Sequence, residues 1–318
     1  MDPSIKRYKV ASIERCNLIF LKGGSIFMRP NNLFLALFPL LGISLLATGC
    51  NNGVVNNDRL VIGLECAYQP FNWEVSSSSE YTLPIDGSNQ YADGFDIAIA
   101  RYLSQDLNCE VVIKKIEWGS LIPSLQAGEI NMILAGMSST SERRETIDFT
   151  VPYLSSDLAF LMKRENIPEG NNKDNPISYN DLLSLFDGQS LICQMGVVGD
   201  DIIADYFSGV EGYNIAHNDP LLTYPLAALD VSSGVSFAMP AELPVVEAMT
   251  NIDSSLGVLY VDYSFLSAGD LEGLSVNIGI KKGNDELRNL LNDSLNRLPD
   301  SEKSRLMGEA CTRSGENA

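Results

Sequence analysis

The chain has 318 residues, a length that accommodates two domains of ordinary size. Hydrophobic residues make up 45% and charged residues 20%, which is typical of a globular protein and argues against disorder throughout. The net charge of −19 argues against a nucleic-acid-binding protein, because phosphate groups are neutralised by clustered lysine and arginine. His217 is the only histidine, which excludes a metal site built from several histidines, and we expect no cofactor.

The chain begins with a segment that resembles a targeting signal. Residues 33–46 are apolar and uncharged, and this run is too short to span a bilayer but suits the core of a signal peptide. The sequence Leu-Ala-Thr-Gly-Cys, which ends at Cys50, resembles a bacterial lipobox. We therefore expect a diacylated Cys50 at the mature N-terminus, with residues 50–57 as a tether. An ordinary secretory cleavage site is the alternative.

Met28 is a better start for this signal than Met1. Arg29 follows it at once, so a positive charge lies close to the apolar run, as signal peptides require. Residues 1–27 fit no such pattern. We expect translation to begin at Met28, and we assign residues 1–49 as a whole to an upstream extension and signal peptide.

After the tether, apolar runs alternate with amphipathic stretches along the chain. Asp96 and Ser120 are each predicted to cap a helix, Gly128 is predicted to end the second helix, and a late helix is predicted to begin near Asn284. This alternation predicts an α/β fold with a parallel sheet covered on both faces. The predicted strands are residues 60–64, 111–113, 132–135, 159–162, 191–193, 237–239 and 276–280, and residues 74–92 form a polar loop or hairpin.

Four further cysteines follow Cys50, and their wide spacing matches no zinc-binding or CxxC pattern. An extracytoplasmic location permits disulfides. Cys66 and Cys109 are predicted to lie at opposite ends of neighbouring parallel strands, so we do not expect them to pair. All other pairings among Cys66, Cys109, Cys193 and Cys311 are left open by the sequence.

A series of segments, in order, resembles one family over nearly the whole chain after the signal. The most specific is Ala-Gly-Met-Ser-Ser-Thr-Ser-Glu-Arg-Arg-Glu-Thr-Ile-Asp-Phe at residues 135–149. The chain resembles the polar amino-acid-binding proteins of bacterial ABC importers, which are solute-binding protein family 3 with the type 2 periplasmic-binding fold. The other matching segments are residues 63–71, 94–97, 118–123, 125–128, 229–244 and 278–283.

The resemblance implies two α/β lobes, a discontinuous first lobe, and a hinge of two crossing strands. By this resemblance, residues 58–156 and 260–318 form the first lobe, and residues 157–259 form the second. Ligand would bind between the lobes, at the carboxyl ends of the strands, where open α/β sheets bind small molecules. The lobes would close around it by a hinge motion.

The resemblance also implies how the ligand's backbone groups are held. Arg143 matches the clamp for the α-carboxylate, since a guanidinium binds a carboxylate through two hydrogen bonds. Thr140 is predicted to open the helix that carries Arg143, so that helix N–H groups assist. Ser138 would add its hydroxyl, with Gly136 and Met137 beside it. Glu242 stands where the family has aspartate, and would bind the α-ammonium.

Further residues match positions around the ligand side chain. Tyr68 and Trp118 match aromatic rings that enclose it, although aromatic residues more often belong to a core. Glu65 matches an acidic residue that meets the α-ammonium or a cationic side chain. In the second lobe, Gln194 matches a side-chain contact. Val197 and Val198 lie in a loop that usually carries a threonine hydroxyl, which Val197 lacks.

The resemblance implies a binding protein, and not an enzyme, at the extracytoplasmic face of the bacterial membrane. Its partners would be a free amino acid, the permease and ATPase of an ABC importer, and the membrane through lipid at Cys50. The alternative is a dehydratase-like enzyme or a sensory module on the same fold, because a fold does not fix a function. Two acidic site residues, Glu65 and Glu242, favour lysine or arginine as the ligand, with glutamine or another neutral amino acid as the alternative.

Overall fold

The computed structural model describes residues 59–316. The predicted signal peptide, the start at Met28, the lipidated Cys50 and the 50–57 tether lie outside the described residues. Within the described part, the helices are α1 (Phe95–Leu107), α2 (Leu121–Ala127), α3 (Ser141–Thr146), α4 (Tyr179–Phe186), α5 (Val198–Tyr206), α6 (Tyr224–Ser233), α7 (Leu243–Ile252), α8 (Ala268–Gly273), α9 (Asp285–Arg297) and α10 (Asp300–Glu316).

The strands of the described part form three sheets. They are β1 (Arg59–Leu64), β2 (Ala67–Tyr68), β3 (Asn72–Val75), β4 (Leu83–Pro84), β5 (Tyr91–Asp93), β6 (Glu110–Lys115), β7 (Met132–Ile133), β8 (Ile147–Ser155), β9 (Leu158–Lys163), β10 (Ser190–Leu191), β11 (Ala216–His217), β12 (Ala238–Glu242), β13 (Leu256–Tyr260) and β14 (Ser275–Lys281).

The first sheet has the order β6-β1-β7-β14-β8. Its central strand β1 pairs in parallel with β6 and β7. Leu60, Ile62 and Leu64 on β1 are all buried, as expected for a strand covered on both faces. The sheet takes strands from both ends of the described chain, which makes the first lobe discontinuous.

The second sheet has the order β11-β10-β12-β9-β13, and all of its strands lie between the two parts of the first sheet. The chain crosses between the sheets twice, once from β8 into β9 and once through residues 261–274, where α8 lies. Both lobes belong to one compact unit. The two-lobed α/β fold predicted from the sequence is therefore confirmed, and the lobe bounds themselves stay predictions.

Neither large sheet is purely parallel, so that part of the prediction is wrong. β14 runs antiparallel to β7 and β8, because the chain enters it on returning from the second lobe. In the second sheet, β9 runs antiparallel to β12 and β13. A strand that enters a sheet from the other lobe is not bound by the parallel βαβ rule, which applies to crossovers within one sheet.

A small antiparallel sheet of order β2-β3-β5-β4 forms from the predicted loop or hairpin and the segment before it. An isolated bridge between Ile85 and Ile113 joins it to the first sheet. Trp73 on β3 is buried and pairs with Asp93 on β5. This small sheet fixes the course of the loop that follows β1, where Glu65 and Tyr68 lie.

Helix α1 begins differently from the prediction, because Gly94 and not Asp96 is its N-cap. Gly94 has a φ of 130°, and a side chain there would collide with the carbonyl oxygen of Phe71, so only glycine fits. Asp96 is fully buried, and its carboxylate accepts hydrogen bonds from Asn72 and Tyr153. Ser120 occupies its predicted N-cap position but its side chain makes no capping hydrogen bond.

The other helix ends agree with the prediction. Gly128 ends α2 in the left-handed conformation, with a φ of 79°. The side chain of Thr140 caps α3 by accepting a hydrogen bond from the Arg143 N–H. The side chain of Asn284 caps α9 by accepting one from the Leu287 N–H.

Helix α10 contacts both lobes. It packs on α7 of the second lobe and on α1 of the first. Near its end, Arg313 donates a hydrogen bond of 2.8 Å to Asp93, whose carboxylate is buried. Among the described residues, no helix is long and apolar enough to cross a membrane.

The four cysteines of the described part are free thiols. Cys66 follows β1 and Cys109 precedes β6, its parallel partner, so the two lie at opposite ends of the paired strands. Cys193 is fully buried, and burial raises the pKa of its thiol. Low thiolate content makes a buried cysteine of this kind unreactive.

Candidate functional site

The predicted site residues lie on loops at the carboxyl ends of strands in both lobes. In the first lobe, the loop after β1 carries Glu65, and the loop after β7 carries Ser138. In the second lobe, Gln194 follows β10, and Glu242 ends β12. Residues from opposite lobes therefore meet across the cleft, at the edge where open α/β sheets bind ligands.

A cavity of about 20 Å³, the inner cavity, lies where these loops meet. Ten of the eleven predicted ligand-binding residues line it, and Met137 lines a larger cavity beside it. The inner cavity also has one lining residue that the sequence did not indicate, Tyr224 at the start of α6. The lining residues are Glu65, Tyr68, Trp118, Gly136, Ser138, Arg143, Gln194, Val197, Val198, Tyr224 and Glu242.

Side chains of the inner cavity bind one another across the cleft. The Tyr68 hydroxyl donates a hydrogen bond to the Glu242 carboxylate, and the Tyr68 ring stacks on Tyr224 at 4.5 Å between centroids. The Gln194 amide donates to a Glu65 carboxylate oxygen at 3.0 Å. An amino acid that occupies the inner cavity must separate at least some of these pairs, because about 20 Å³ holds roughly one water molecule.

The Arg143 guanidinium is held at the wall of this cavity. Its Nη1 donates to the Ser138 carbonyl at 2.8 Å, and its Nη2 donates to the Gly196 carbonyl at 2.8 Å across the cleft. It lies over the Trp118 ring, 5.2 Å from the centroid, a geometry that favours a cation. Burial lowers the pKa of Arg143, while nearby acids such as Asp201 act in the opposite direction. The group stays charged, because an arginine in a protein is not deprotonated.

Two carboxylates face the same cavity. Burial raises the pKa of Glu65 to about 7, although the hydrogen bond from Gln194 acts to lower it. Burial also raises the pKa of Glu242, opposed by the hydrogen bond from Tyr68. The Oε1 atom of Glu65 is buried and has no hydrogen-bond partner among the described residues. An unpartnered buried carboxylate oxygen is costly, so this atom favours a cationic donor.

A buried polar network lies behind the two first-lobe loops. Asn72 accepts a hydrogen bond from the Cys66 N–H at 2.8 Å and donates one to Asp96 at 2.8 Å. Tyr153 donates to the other oxygen of Asp96 at 2.7 Å, and its hydroxyl accepts from the Gly136 N–H at 3.0 Å. The side chains of Asn72, Asp96 and Tyr153 are each fully buried. The network therefore ties the loop that carries Glu65 to the loop that carries Ser138.

Gly136 can only be glycine in this arrangement. Its φ of 61° is in the left-handed region, and a Cβ there would lie 2.8 Å from a ring carbon of Tyr68. Since its N–H donates to Tyr153, this group is engaged within the protein. Similarly, the backbone N–H of Arg143 donates to the Thr140 side chain. Fewer N–H groups are therefore free to bind a ligand carboxylate than the sequence analysis predicted.

The described residues contain no group of three or more histidine, cysteine, aspartate or glutamate side chains that could hold a metal ion. His217, the only histidine, is half-buried and contacts Asp200 at 2.8 Å, outside the lining of the inner cavity. The chemistry that the inner cavity offers is therefore one guanidinium, two carboxylates, amide and hydroxyl groups, and aromatic faces. That set is complementary to a zwitterion.

Residues 60–307 match the family described as bacterial extracellular solute-binding proteins, family 3. The chain belongs to this family. The match includes the whole inner cavity and the strands that position it. The resemblance noted in the sequence is thereby confirmed at the level of the family.

Proteins with similar sequences include several amino-acid-binding proteins. The L-arginine-binding protein of Pseudomonas aeruginosa is 26% identical over 238 residues, which cover 74% of this chain and 81% of that protein. The L-cystine-binding protein TcyJ of Escherichia coli K12 is 23% identical over 251 residues, covering 78% and 80%. A probable histidine-binding protein of Campylobacter jejuni is 29% identical over 142 residues, covering 42% of this chain and only half of that protein.

Solved structures show the same fold. The amino acid ABC transporter substrate-binding protein AbpA of Streptococcus pneumoniae, bound to L-arginine, has a TM-score of 0.64 and 21% identity, and the match covers 81% of this chain and 96% of that one. The ancestral amino-acid-binding protein AncCDT-1, a precursor of cyclohexadienyl dehydratase, has a TM-score of 0.60 and 24% identity, with 79% and 94% covered. At these identities, the likeness shows the fold alone.

Proposed function

We propose that this protein binds a cationic L-amino acid between its lobes and delivers it to the permease of an ABC importer. One observation carries the proposal. The inner cavity sets one guanidinium, Arg143, against two carboxylates, Glu65 and Glu242. A cationic amino acid has the complementary pattern of one negative and two positive groups. Relatives named as arginine-binding proteins support the same ligand class.

In the proposed complex, each ligand group replaces a contact that the protein makes with itself. The α-carboxylate takes the Arg143 hydrogen that is donated to the Gly196 carbonyl. The α-ammonium takes the Glu242 oxygen that accepts from Tyr68. The side-chain cation binds Glu65 Oε1, which has no partner among the described residues. Met137, Val197 and Val198 remain proposed contacts through their backbone or apolar atoms.

A thermal-shift panel of the twenty amino acids tests the ligand class. A ligand that binds only the folded state, present at ~100 times its Kd, adds about 2.7 kcal/mol to the unfolding free energy. We expect lysine and arginine to raise the melting temperature more than glutamine does. A shift with neutral amino acids alone would contradict the cationic assignment, and no shift at all would contradict the binding function.

Replacing Glu65 by glutamine is expected to weaken lysine and arginine binding far more than glutamine binding. Loss of one partner of a buried charge pair costs roughly 2–5 kcal/mol, whereas a neutral side chain loses no such pair. Since the pKa of Glu65 is raised to about 7, its carboxylate ionises as the pH rises through that value. Affinity for cationic ligands should therefore increase from about pH 6 to about pH 8 and be flat in the variant. Calorimetric titration measures both effects.

The control is Glu142→Gln, which removes the same charge from an exposed position on α3. It should leave the affinity and its pH dependence unchanged. Equal losses for cationic and neutral ligands in Glu65→Gln would place Glu65 on the α-ammonium or in the scaffold.

We propose that the protein is not an enzyme. The alternative, an enzyme, is suggested by AncCDT-1, which is described as a precursor of cyclohexadienyl dehydratase. A dehydratase needs an acid or base placed at the leaving group of its substrate, while Arg143 and Glu242 suit the two ends of a zwitterion. Turnover assays with prephenate-like acids distinguish the two functions, because a binding protein does not convert these acids to product.

We propose that Cys50 is lipidated and holds the protein at the extracytoplasmic face of the membrane, beside the permease of the importer, whose ATPase would lie on the cytoplasmic face. Cys50→Ser should release the protein from membranes, because stable attachment takes two acyl chains and the variant has none. Fractionation after a salt wash measures this, with Cys311→Ser as the control that stays attached. A Cys50→Ser variant that remains in the membrane pellet would contradict the lipid anchor.

A further inference from the structure

A second, larger cavity adjoins the inner cavity between the lobes. This outer cavity has a volume of about 860 Å³ and shares Glu65, Trp118 and Arg143 with the inner one. Its walls are largely apolar and come from both lobes. The apolar side chains are Ala67, Ile85, Ile122, Met137, Met195 and Leu222.

The two cavities share part of their walls. Two of the shared residues, Trp118 and Arg143, donate hydrogen bonds to the Gly196 carbonyl, from Nε1 at 3.0 Å and from Nη2 at 2.8 Å. Glu65, the third shared residue, is only 6% exposed. Its unpartnered Oε1 is thus a buried acceptor on a residue that lines both cavities. A cation bound to Glu65 would lie beside the outer cavity.

The outer cavity has the chemistry of a subsite for an apolar group beyond that cation. Leu222 is 73% exposed and Met195 is 52% exposed, unusually high values for large apolar side chains. The acidic side chains Asp86 and Glu117 also line the cavity, and its lysine, Lys115, is paired with Glu74. A ligand with a cation and an apolar extension would cover the apolar walls and match the negative charge.

We propose that the outer cavity is a side-chain subsite, and that the protein takes cationic amino acids whose side chains continue past the cation as an apolar group. This proposal rests on the proposed function. The backbone groups of the ligand bind Arg143 and Glu242, its cation binds Glu65, and the apolar extension lies against Leu222 and Met195. At about 860 Å³, the outer cavity has room for such an extension beside Glu65.

Three probes test the subsite by calorimetric titration of the full chain. They are L-lysine, Nε-benzyl-L-lysine, which keeps the cation and adds an aromatic ring, and Nε-benzoyl-L-lysine, which has the ring without the cation. Burial of the ring should make benzyl-lysine bind about ten-fold tighter than lysine or more. Benzoyl-lysine should bind at least about ten-fold more weakly than benzyl-lysine, since Glu65 then lacks a cationic partner.

Substitution of two exposed leucines tests whether the benzyl group binds in the outer cavity. Leu222→Ser removes apolar wall from the outer cavity, whereas Leu229→Ser removes a leucine that is similarly exposed, at 63%, but outside the cavity lining. Leu222→Ser should weaken benzyl-lysine roughly three- to ten-fold and lysine less than about two-fold, while Leu229→Ser changes neither. Lysine binding without a gain from the benzyl group would overturn the subsite. Failure of lysine and arginine alike would overturn the proposed function.

Discussion

Replacing Arg143 by alanine is expected to lower the affinity for the best amino-acid ligand by roughly 2–5 kcal/mol, a factor of about 30 to several thousand in Kd. The variant leaves the ligand carboxylate in a buried cleft without its guanidinium partner. Arg143→Lys should also bind weakly, because an ammonium cannot supply two parallel hydrogen bonds to a carboxylate. Calorimetric titration of both variants with the ligand found in the panel measures the loss.

Arg144→Ala is the control, because it removes the same charge from the next residue of α3. The Arg144 side chain donates hydrogen bonds to Ser139 and lies over the Phe149 ring at 5.7 Å, outside the lining of the inner cavity. Its loss should change the ligand Kd less than about three-fold. Comparable losses in the two variants would contradict the role of Arg143 as the carboxylate clamp, and with it the amino-acid assignment.

The features of the fold that depend on local sequence were predictable. The apolar run of β1 and the late strand β14 are strands, Thr140 and Asn284 cap their helices, and Gly128 ends α2. Each of these features depends on residues within one turn or one strand. The two-lobed arrangement came from the order of motifs along the chain, and not from any single pattern.

Strand direction and the start of α1 depended on contacts that are distant in sequence. Nothing within β14 indicates that it returns from the other lobe, and that return is what makes the first sheet mixed. Asp96 has the sequence context of a helix cap, yet Asn72 and Tyr153 hold its carboxylate in the core. Such partners are far apart in the chain, so a local pattern does not reveal them.

Ten of the predicted site residues line the inner cavity, and Tyr224 is the lining residue that the sequence did not indicate. Tyr224 follows a threonine and precedes a proline at the start of α6, where an aromatic residue has no special signature. It reaches the cavity because α6 packs against β2 of the first lobe, which brings its ring onto Tyr68. A residue that fills a site from a neighbouring helix is visible only when the packing is known.

Tyr153→Phe is expected to destabilise the protein by roughly 3 kcal/mol or more, because it leaves two buried groups short of a partner. The Gly136 N–H loses the Tyr153 hydroxyl as an acceptor, and the Asp96 carboxylate loses one of the two side chains that donate to it. Burial already raises the pKa of Asp96 to about 7, against the effect of these hydrogen bonds. Removing one donor should raise that pKa further. Denaturant unfolding at about pH 8, where wild-type Asp96 is largely ionised, measures the free-energy difference.

Tyr102→Phe provides the matched control, since it removes a tyrosine hydroxyl that donates a single hydrogen bond, to the Ser294 carbonyl at 3.0 Å. Its expected cost is about 1 kcal/mol, the value for one ordinary hydrogen bond. Tyr153→Phe should also weaken ligand binding, because the Gly136–Ser138 loop loses the bond that fixes its first N–H, whereas Tyr102→Phe should not. Equal and small losses of stability in both variants, with unchanged ligand affinity, would show that the network does not hold the binding loop in place.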